Sequence, residues 1–258
     1  MLHADRTGAG PRVVLVHGFT QTRRSWDRLA PAIAAAGHEV LAVDAPGHGR
    51  SAAHAGADLR EGARLLGESG GRAAYVGYSM GGRLALHLAV QEPDRVERLV
   101  LVGATAGLDT AAERADRRAA DEALARDLER DGLDAFLGRW LANPLFATLP
   151  IEAAGIEDRK ENTAEGLVAS LRRTGTGTQD PLWDRLPSMP VLLVVGEHDA
   201  KFTAIAHRLA DGWRGPAEVA RIAGAGHACH LEQPDAFLDV VVRFLHRDTA
   251  RPAASSSP

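Results

Sequence analysis

A serine, Ser79, stands between Gly77 and Gly81 in the run G-Y-S-M-G-G-R (77–83). Its hydroxyl is inert near neutral pH unless a histidine takes its proton and a carboxylate holds that imidazole in one tautomer. Both partner types follow downstream. Asp199 closes G-E-H-D (196–199) and His227 closes G-A-G-H (224–227). Chemistry at such a serine builds negative charge on an oxygen, which needs hydrogen-bond donors aimed at it. The run H-G-F (17–19) offers the Phe19 amide for this, beside the amide of Met80 that follows the serine. His17 itself is expected to order the loop. Arg83 fits none of these roles: it lies one helical turn after Ser79, near the positive end of its helix, where a cation is disfavoured. Its place there raises the question of what it holds.

Other residues compete for these roles. Glu197 is an alternative acid, although so close to the preceding run it reads more simply as a loop cap. His230 is an alternative base, although at a helix approach a surface or capping histidine is the plainer expectation. The spacing H-x-x-H (227–230) has no companion ligands and matches no zinc pattern, so no metal site is read. The run D-A-P-G-H-G (44–49) reads as a structural turn.

The elements that must position these groups are short β-branched runs alternating with helical patterns. Strands are expected at 13–16, 40–43, 74–76, 99–102, 191–195 and 218–222, and helices at 26–36, 59–68, 80–91, 202–210 and 236–244. Most of the strand runs are continuously apolar, which suits a parallel sheet covered on both faces. The expected fold is α/β, a mostly parallel doubly wound sheet with function in loops at the carboxyl ends of its strands. Ser79, Asp199 and His227 each follow a strand run, and a glycine-framed serine between strand and helix is the setting of a nucleophile elbow.

The alternation stops between about 105 and 185, where helical patterns continue without a strand. Residues 105–185 are therefore expected to form a helical lid inserted in a core made of 1–104 and 186–247. T-A-A-E (110–113) is a capping box opening a helix that runs toward Gly132. G-T-G-T (175–178) lacks the setting of a dinucleotide fingerprint and is expected to be a loop. The tail at 248–258 is small, polar and proline-containing, and is expected to be disordered.

Composition narrows the partners. Thirty basic against 34 acidic residues leave a net charge of −4, which gives no reason to expect nucleic acid or an anionic membrane. Cys229 is the only cysteine, so no intrachain disulfide is possible. The start M-L-H-A-D lacks the features of a signal peptide, and no apolar run approaches the ~20 residues of a membrane span. A cytoplasmic protein is expected.

The motifs at 17–19, 44–49, 77–83 and 224–227 resemble the α/β-hydrolase superfamily. More narrowly, the chain resembles the menaquinone-pathway 2-succinyl-6-hydroxy-2,4-cyclohexadiene-1-carboxylate synthases. That resemblance rests on Arg83 in G-Y-S-M-G-G-R and on G-L-D-T-A-A-E-R-A-D-R (107–117). It also rests on W-L-A-N-P-L-F-A (140–147), G-T-G-T-Q-D-P-L-W (175–183), D-A-K-F (199–202) and H-A-C-H-L-E-Q-P (227–234). The resemblance implies a lyase that abstracts a proton and expels pyruvate from a substrate with three carboxylates, with no cofactor. Ser79, Asp199 and His227 would be the catalytic set, with Phe19 and Met80 as the oxyanion hole. Arg83, Arg117, Trp140, Arg159 and Tyr78 would hold the substrate. Arg114 and Arg118 are alternatives to Arg117, Trp140 can equally anchor the lid to the core, and Tyr78 can equally pack under the elbow. A serine esterase or carbon–carbon-bond hydrolase on the same scaffold would keep the triad but need no arginine cluster. A non-catalytic ligand receptor usually lacks a triad member.

Overall fold

The computed structural model describes residues 1–247; residues 248–258, expected as a disordered tail, lie outside the described residues. Seven strands form one sheet: β1 (Ala4–Gly8), β2 (Arg12–Val16), β3 (Glu39–Val43), β4 (Ala73–Tyr78), β5 (Val96–Val102), β6 (Val191–Gly196) and β7 (Ala217–Ile222). Their order is β1-β3-β2-β4-β5-β6-β7. Only β1 runs antiparallel, against β3. The six expected strands are β2 to β7. β1 is additional, an edge strand of sequence A-D-R-T-G with four exposed residues; without an apolar face it carries no strand signal, and charged residues suit a sheet edge.

Alternate residues of each strand feed opposite faces, as the two-residue period of a strand requires. Val14, Val16, Leu41, Val43, Leu99, Leu101 and Leu193 pack under helices α2 (Leu59–Gly70), α3 (Met80–Gln91) and α7 (Ala200–Gly212). Val13, Leu15, Val40, Val100, Val102 and Val194 pack under α1 (Ala30–Ala35) and α8 (Pro234–Leu245). Burial on both faces explains the unbroken apolar runs. The single helix expected over 26–36 is two pieces, a 3-10 turn at Arg23–Trp26 and then α1. Pro31 lies in the first turn of α1; it lacks an amide hydrogen and crowds the residue before it, so a continuous helix cannot run through it.

Between β5 and β6 the described chain forms helices and turns only. α4 (Ala111–Leu141) begins with the expected capping box, Thr110 accepting from the Glu113 amide. Its helical geometry breaks at Gly132, where φ is 79°. α5 (Ile156–Arg159) and α6 (Ala164–Thr174) follow. Thr176–Thr178, expected as loop, is one 3-10 turn. A third apolar cluster joins Leu128 and Phe136 of α4 to Leu167 and Leu171 of α6, with Phe19 and Trp140 packed against it. Phe19 thus links the helical segment to the loop after β2.

Candidate active site

The strand order reverses between β2 and β4, which lie side by side with Val16 opposite Gly77. Loops leaving their carboxyl ends therefore meet at a switch point. One is H-G-F, the other carries Ser79. The serine joins β4 to α3 with φ 50° and ψ −107°, a backbone region that a non-glycine residue rarely occupies and that functional sites retain. Its amide donates to the Val102 carbonyl at 2.8 Å. The turn is this sharp because α3 approaches the sheet closely: a Cβ on Gly81 would lie 2.3 Å from the Val16 carbonyl oxygen. Gly81→Ala is expected to lower the unfolding free energy by about 3 kcal/mol, read as a fall in the urea midpoint. An unchanged midpoint would remove the close-approach argument.

Asp199 caps α7, its Oδ1 accepting from the Phe202 amide at 3.1 Å. Its Oδ2 lies 2.7 Å from His227 Nδ1. His227, after β7, places Nε2 3.4 Å from the Ser79 hydroxyl, within the looser range seen before a substrate tightens such contacts. Both partners are buried, Asp199 to 7% and His227 to 3% exposure. With Nδ1–H donated to the carboxylate, Nε2 is left to accept the serine proton. Two supports had no signal in the sequence. The Glu232 carboxylate accepts from the amides on both sides of His227, Gly226 at 2.7 Å and Ala228 at 3.0 Å. At Gly103, just after β5, a Cβ would lie 2.9 Å from the imidazole Cε1.

The loop after β2 is held from several directions. His17 donates Nδ1–H to the Gly18 carbonyl and accepts from the Ala45 amide at Nε2, at 2.8 and 2.9 Å. Burial keeps this imidazole neutral by lowering its pKa to about 4. Gln21 accepts from the Gly18 amide, and Asn162 donates to the Thr20 carbonyl while accepting from the Gly49 amide. Thr20 sits at φ 67°. Beneath it, the buried Asp44 accepts from the Arg23 and Arg50 amides and so fixes the 44–49 turn. Asn162, on the helical segment, is the tie that sequence reading missed.

Ser79, Met80, Phe19, Tyr78 and His227 line a cavity of about 140 Å³ whose wall also carries Arg83, Arg117, Asp121 and Trp140. Arg83 is buried and donates to the Thr174 carbonyl at 2.7 Å, so the negative end of α6 faces the cation. Burial, and then the nearby Arg117, lower its pKa to about 10; it is still charged at neutral pH. Arg114 and Arg118 are spent elsewhere, on the Leu108 and Gly177 carbonyls, which leaves Arg117 on the wall. Trp140 meets Phe19 edge-on with ring centroids 5.1 Å apart, and its buried Nε1 has no hydrogen-bond partner among the described residues. Tyr78 packs 5.3 Å from the His227 ring. Lys201 and Phe202 complete the rim.

Three other sequence candidates lie elsewhere. Arg159 does not line this cavity. It is buried, donates to the Ala154 carbonyl at 2.7 Å and to the Thr20 hydroxyl, and lines a second cavity of about 260 Å³. His230 is not a surface or capping residue: it is fully buried between Trp26 and Tyr78, at centroid distances of 4.8 and 4.3 Å. The rings that enclose it come from Trp26 and Tyr78, distant in sequence, and their packing overrides the expectation. Glu197 caps the turn after β7, accepting from the Gly224 amide at 2.9 Å and pairing with Arg221.

Residues 13–240 match the alpha/beta hydrolase family. The putative 2-succinyl-6-hydroxy-2,4-cyclohexadiene-1-carboxylate synthase of Bacillus subtilis (strain 168) is 36% identical, over 92% of this chain and 91% of that protein. The 2-succinyl-6-hydroxy-2,4-cyclohexadiene-1-carboxylate synthase of Salmonella schwarzengrund (strain CVM19633) is 33% identical, over 95% and 99%. Among solved structures, MenH from S. aureus superposes with a TM-score of 0.87 at 28% identity, covering 95% of this chain and 98% of that one.

Proposed function

The chain belongs to the alpha/beta hydrolase family and, within it, to the 2-succinyl-6-hydroxy-2,4-cyclohexadiene-1-carboxylate synthases, and we propose that it is a pyruvate-eliminating carbon–oxygen lyase. Its substrate on this reading is 2-succinyl-5-enolpyruvyl-6-hydroxy-3-cyclohexene-1-carboxylate. The product is 2-succinyl-6-hydroxy-2,4-cyclohexadiene-1-carboxylate, made for menaquinone biosynthesis.

Ser79, its proton passed to His227, takes the proton activated by the succinyl ketone. The electrons of that C–H bond flow into a dienolate whose oxygen faces the Phe19 and Met80 amides. The dienolate collapses to the diene and breaks the bond to the enolpyruvyl oxygen; the departing enolate takes up a proton and leaves as pyruvate. Asp199 holds the His227 tautomer and balances the imidazolium. Residues 105–185 act as a lid that brings Arg117 and Trp140 over the reacting centre. Arg159 enters this scheme through Thr20, in the loop that presents the Phe19 amide. No helix among the described residues is long and apolar enough to cross a membrane, and the reading places the reaction in the cytoplasm.

The observation that carries the reading is the pair Arg83 and Arg117 on the wall of the cavity that also holds Ser79 and His227. An uncharged ester would not repay two cations there, whereas substrate carboxylates would. The test is turnover with the enolpyruvyl substrate, following pyruvate and the conjugated diene together, with mass spectrometry of quenched samples. Equimolar release without a covalent adduct is expected. No pyruvate, or an adduct on Ser79 that forms and decays at the turnover rate, would move the assignment to a hydrolase. Arg83→Ala and Arg117→Ala should each lower kcat/KM by about 30-fold, the equivalent of about 2 kcal/mol for a charge-assisted contact. Near-normal kinetics in both would return these arginines to a structural role.

A further inference from the structure

Asp121 lies on the cavity wall with the two arginines and was not singled out by any motif. Its side chain is 3% exposed, unusual for a carboxylate in a cavity that has to admit anions. Oδ1 accepts from Arg117 Nε at 2.8 Å, one turn back along α4. Oδ2 is buried and has no hydrogen-bond partner among the described residues. Behind it the chain leaves no slack: a Cβ on Gly175 would lie 2.4 Å from Oδ2 and 2.5 Å from the Leu171 carbonyl. The carboxylate is thus clamped between α4 and the end of α6.

The consequence falls on Arg117. Its side chain is 40% exposed, and it shares the wall with a second guanidinium, Arg83. Left alone, two like charges with an open path to water would separate. Asp121 engages the Nε edge of the guanidinium, and its two terminal nitrogens have no other partner among the described residues. Those two nitrogens form the fork that grips a carboxylate bidentately.

We propose that Asp121 is a positioning residue that holds Arg117 by Nε, directing its terminal nitrogens at a substrate carboxylate. The proposal rests on the polycarboxylate reading above but can fail separately from it, because the ligand used in its test is not the substrate. That ligand is succinate, and calorimetry on the intact protein reads its affinity in wild type, Asp121→Ala, Asp121→Asn, Arg117→Ala and the Asp121→Ala/Arg117→Ala double variant.

Asp121→Ala should weaken succinate by about tenfold, since the fork is no longer aimed. Asp121→Asn keeps an acceptor for Nε and should stay within about threefold of wild type. In the Arg117→Ala background the Asp121→Ala step should have no effect, because the partner it acts through is gone. The same pattern should appear in KM, with kcat little changed. A merely structural aspartate would weaken binding equally in both backgrounds, or would not be rescued by asparagine, and either outcome overturns the proposal. So does unchanged or tighter binding in Asp121→Ala, or no succinate binding by wild type. If Asp121→Ala does not fold, Asp121→Glu takes its place in both backgrounds: its longer carboxylate displaces Arg117 and predicts the same loss. Absence of pyruvate release with a normal succinate cycle would defeat the lyase reading and leave this one standing.

Discussion

Ser79→Ala is expected to leave on the order of a thousandth of wild-type pyruvate release while KM changes only a few-fold. The two halves of that expectation come from separate parts of the cavity. On the proposed mechanism, proton abstraction depends on the Ser79 oxygen, 3.4 Å from His227 Nε2, and anion binding on Arg83 and Arg117, which the substitution does not touch. His227→Ala should cost about as much as Ser79→Ala, and the double variant hardly more, because residues that pass one proton act as a unit. Asp199→Ala has a second cost, since Oδ1 also caps α7; its loss of activity should come with a loss of stability of about 1 kcal/mol. Steady-state assays paired with urea unfolding separate the two. Additive losses in the double variant, or retained turnover in Ser79→Ala, would show that the serine is not the base.

Much of this site could be read before any coordinates, and the reason is local geometry. A serine between glycines after an apolar run specifies a strand–turn–helix, and Met80–Gln91 forms with the expected bounds. Thr110 and Glu113 specify a helix start through their own hydrogen bonds. What was not legible depends on contacts distant in sequence. Asp121 looks like one more charge on a mixed helix face until α6 buries it. Glu232 looks like a surface residue until its carboxylate is found bridging the peptides around His227. Arg159 is named by the resemblance, yet its burial beside Thr20 takes it off the cavity wall. β1 has no pattern of its own and exists because β3 offers an edge. His230 shows the limit most plainly, since the rings that enclose it, Trp26 and Tyr78, are distant in sequence.

That surround leads to the remaining prediction, a steep loss of stability in mild acid. Burial lowers the pKa of His17 and His87 to about 4 and of His48 and His230 to about 3. In the unfolded chain each would titrate near 6.5. Above that value neither state binds the proton and these groups contribute fully to stability. As pH falls below it the unfolded chain takes up protons that the folded chain refuses, so stability drops until the folded pKa values are reached. Each histidine adds a slope approaching about 1.4 kcal/mol per pH unit, so four together remove several kcal/mol by pH 5, a large share of an ordinary folding free energy. Carboxylates held low by ion pairs, such as Glu122 at about 2, act in the same direction, but only below the unfolded carboxylate range near 4. The window between pH 6.5 and 5 therefore belongs to the histidines. Urea unfolding across pH 8 to 4.5 should show a plateau above pH 7 and a fall corresponding to the uptake of about four protons on unfolding below pH 6. His230→Phe should remove about one of them at little other cost, because among the described residues neither ring nitrogen has a hydrogen-bond partner. In the folded protein His17 stays neutral until about pH 4. Only there would a protonated ring turn an N–H toward the Ala45 amide that it now accepts from and loosen the loop presenting Phe19, so activity lost above that pH should track unfolding. A stability profile flat from pH 7 to 5 would show that these rings are not held neutral, and with that the account of how the H-G-F loop is fixed would fall.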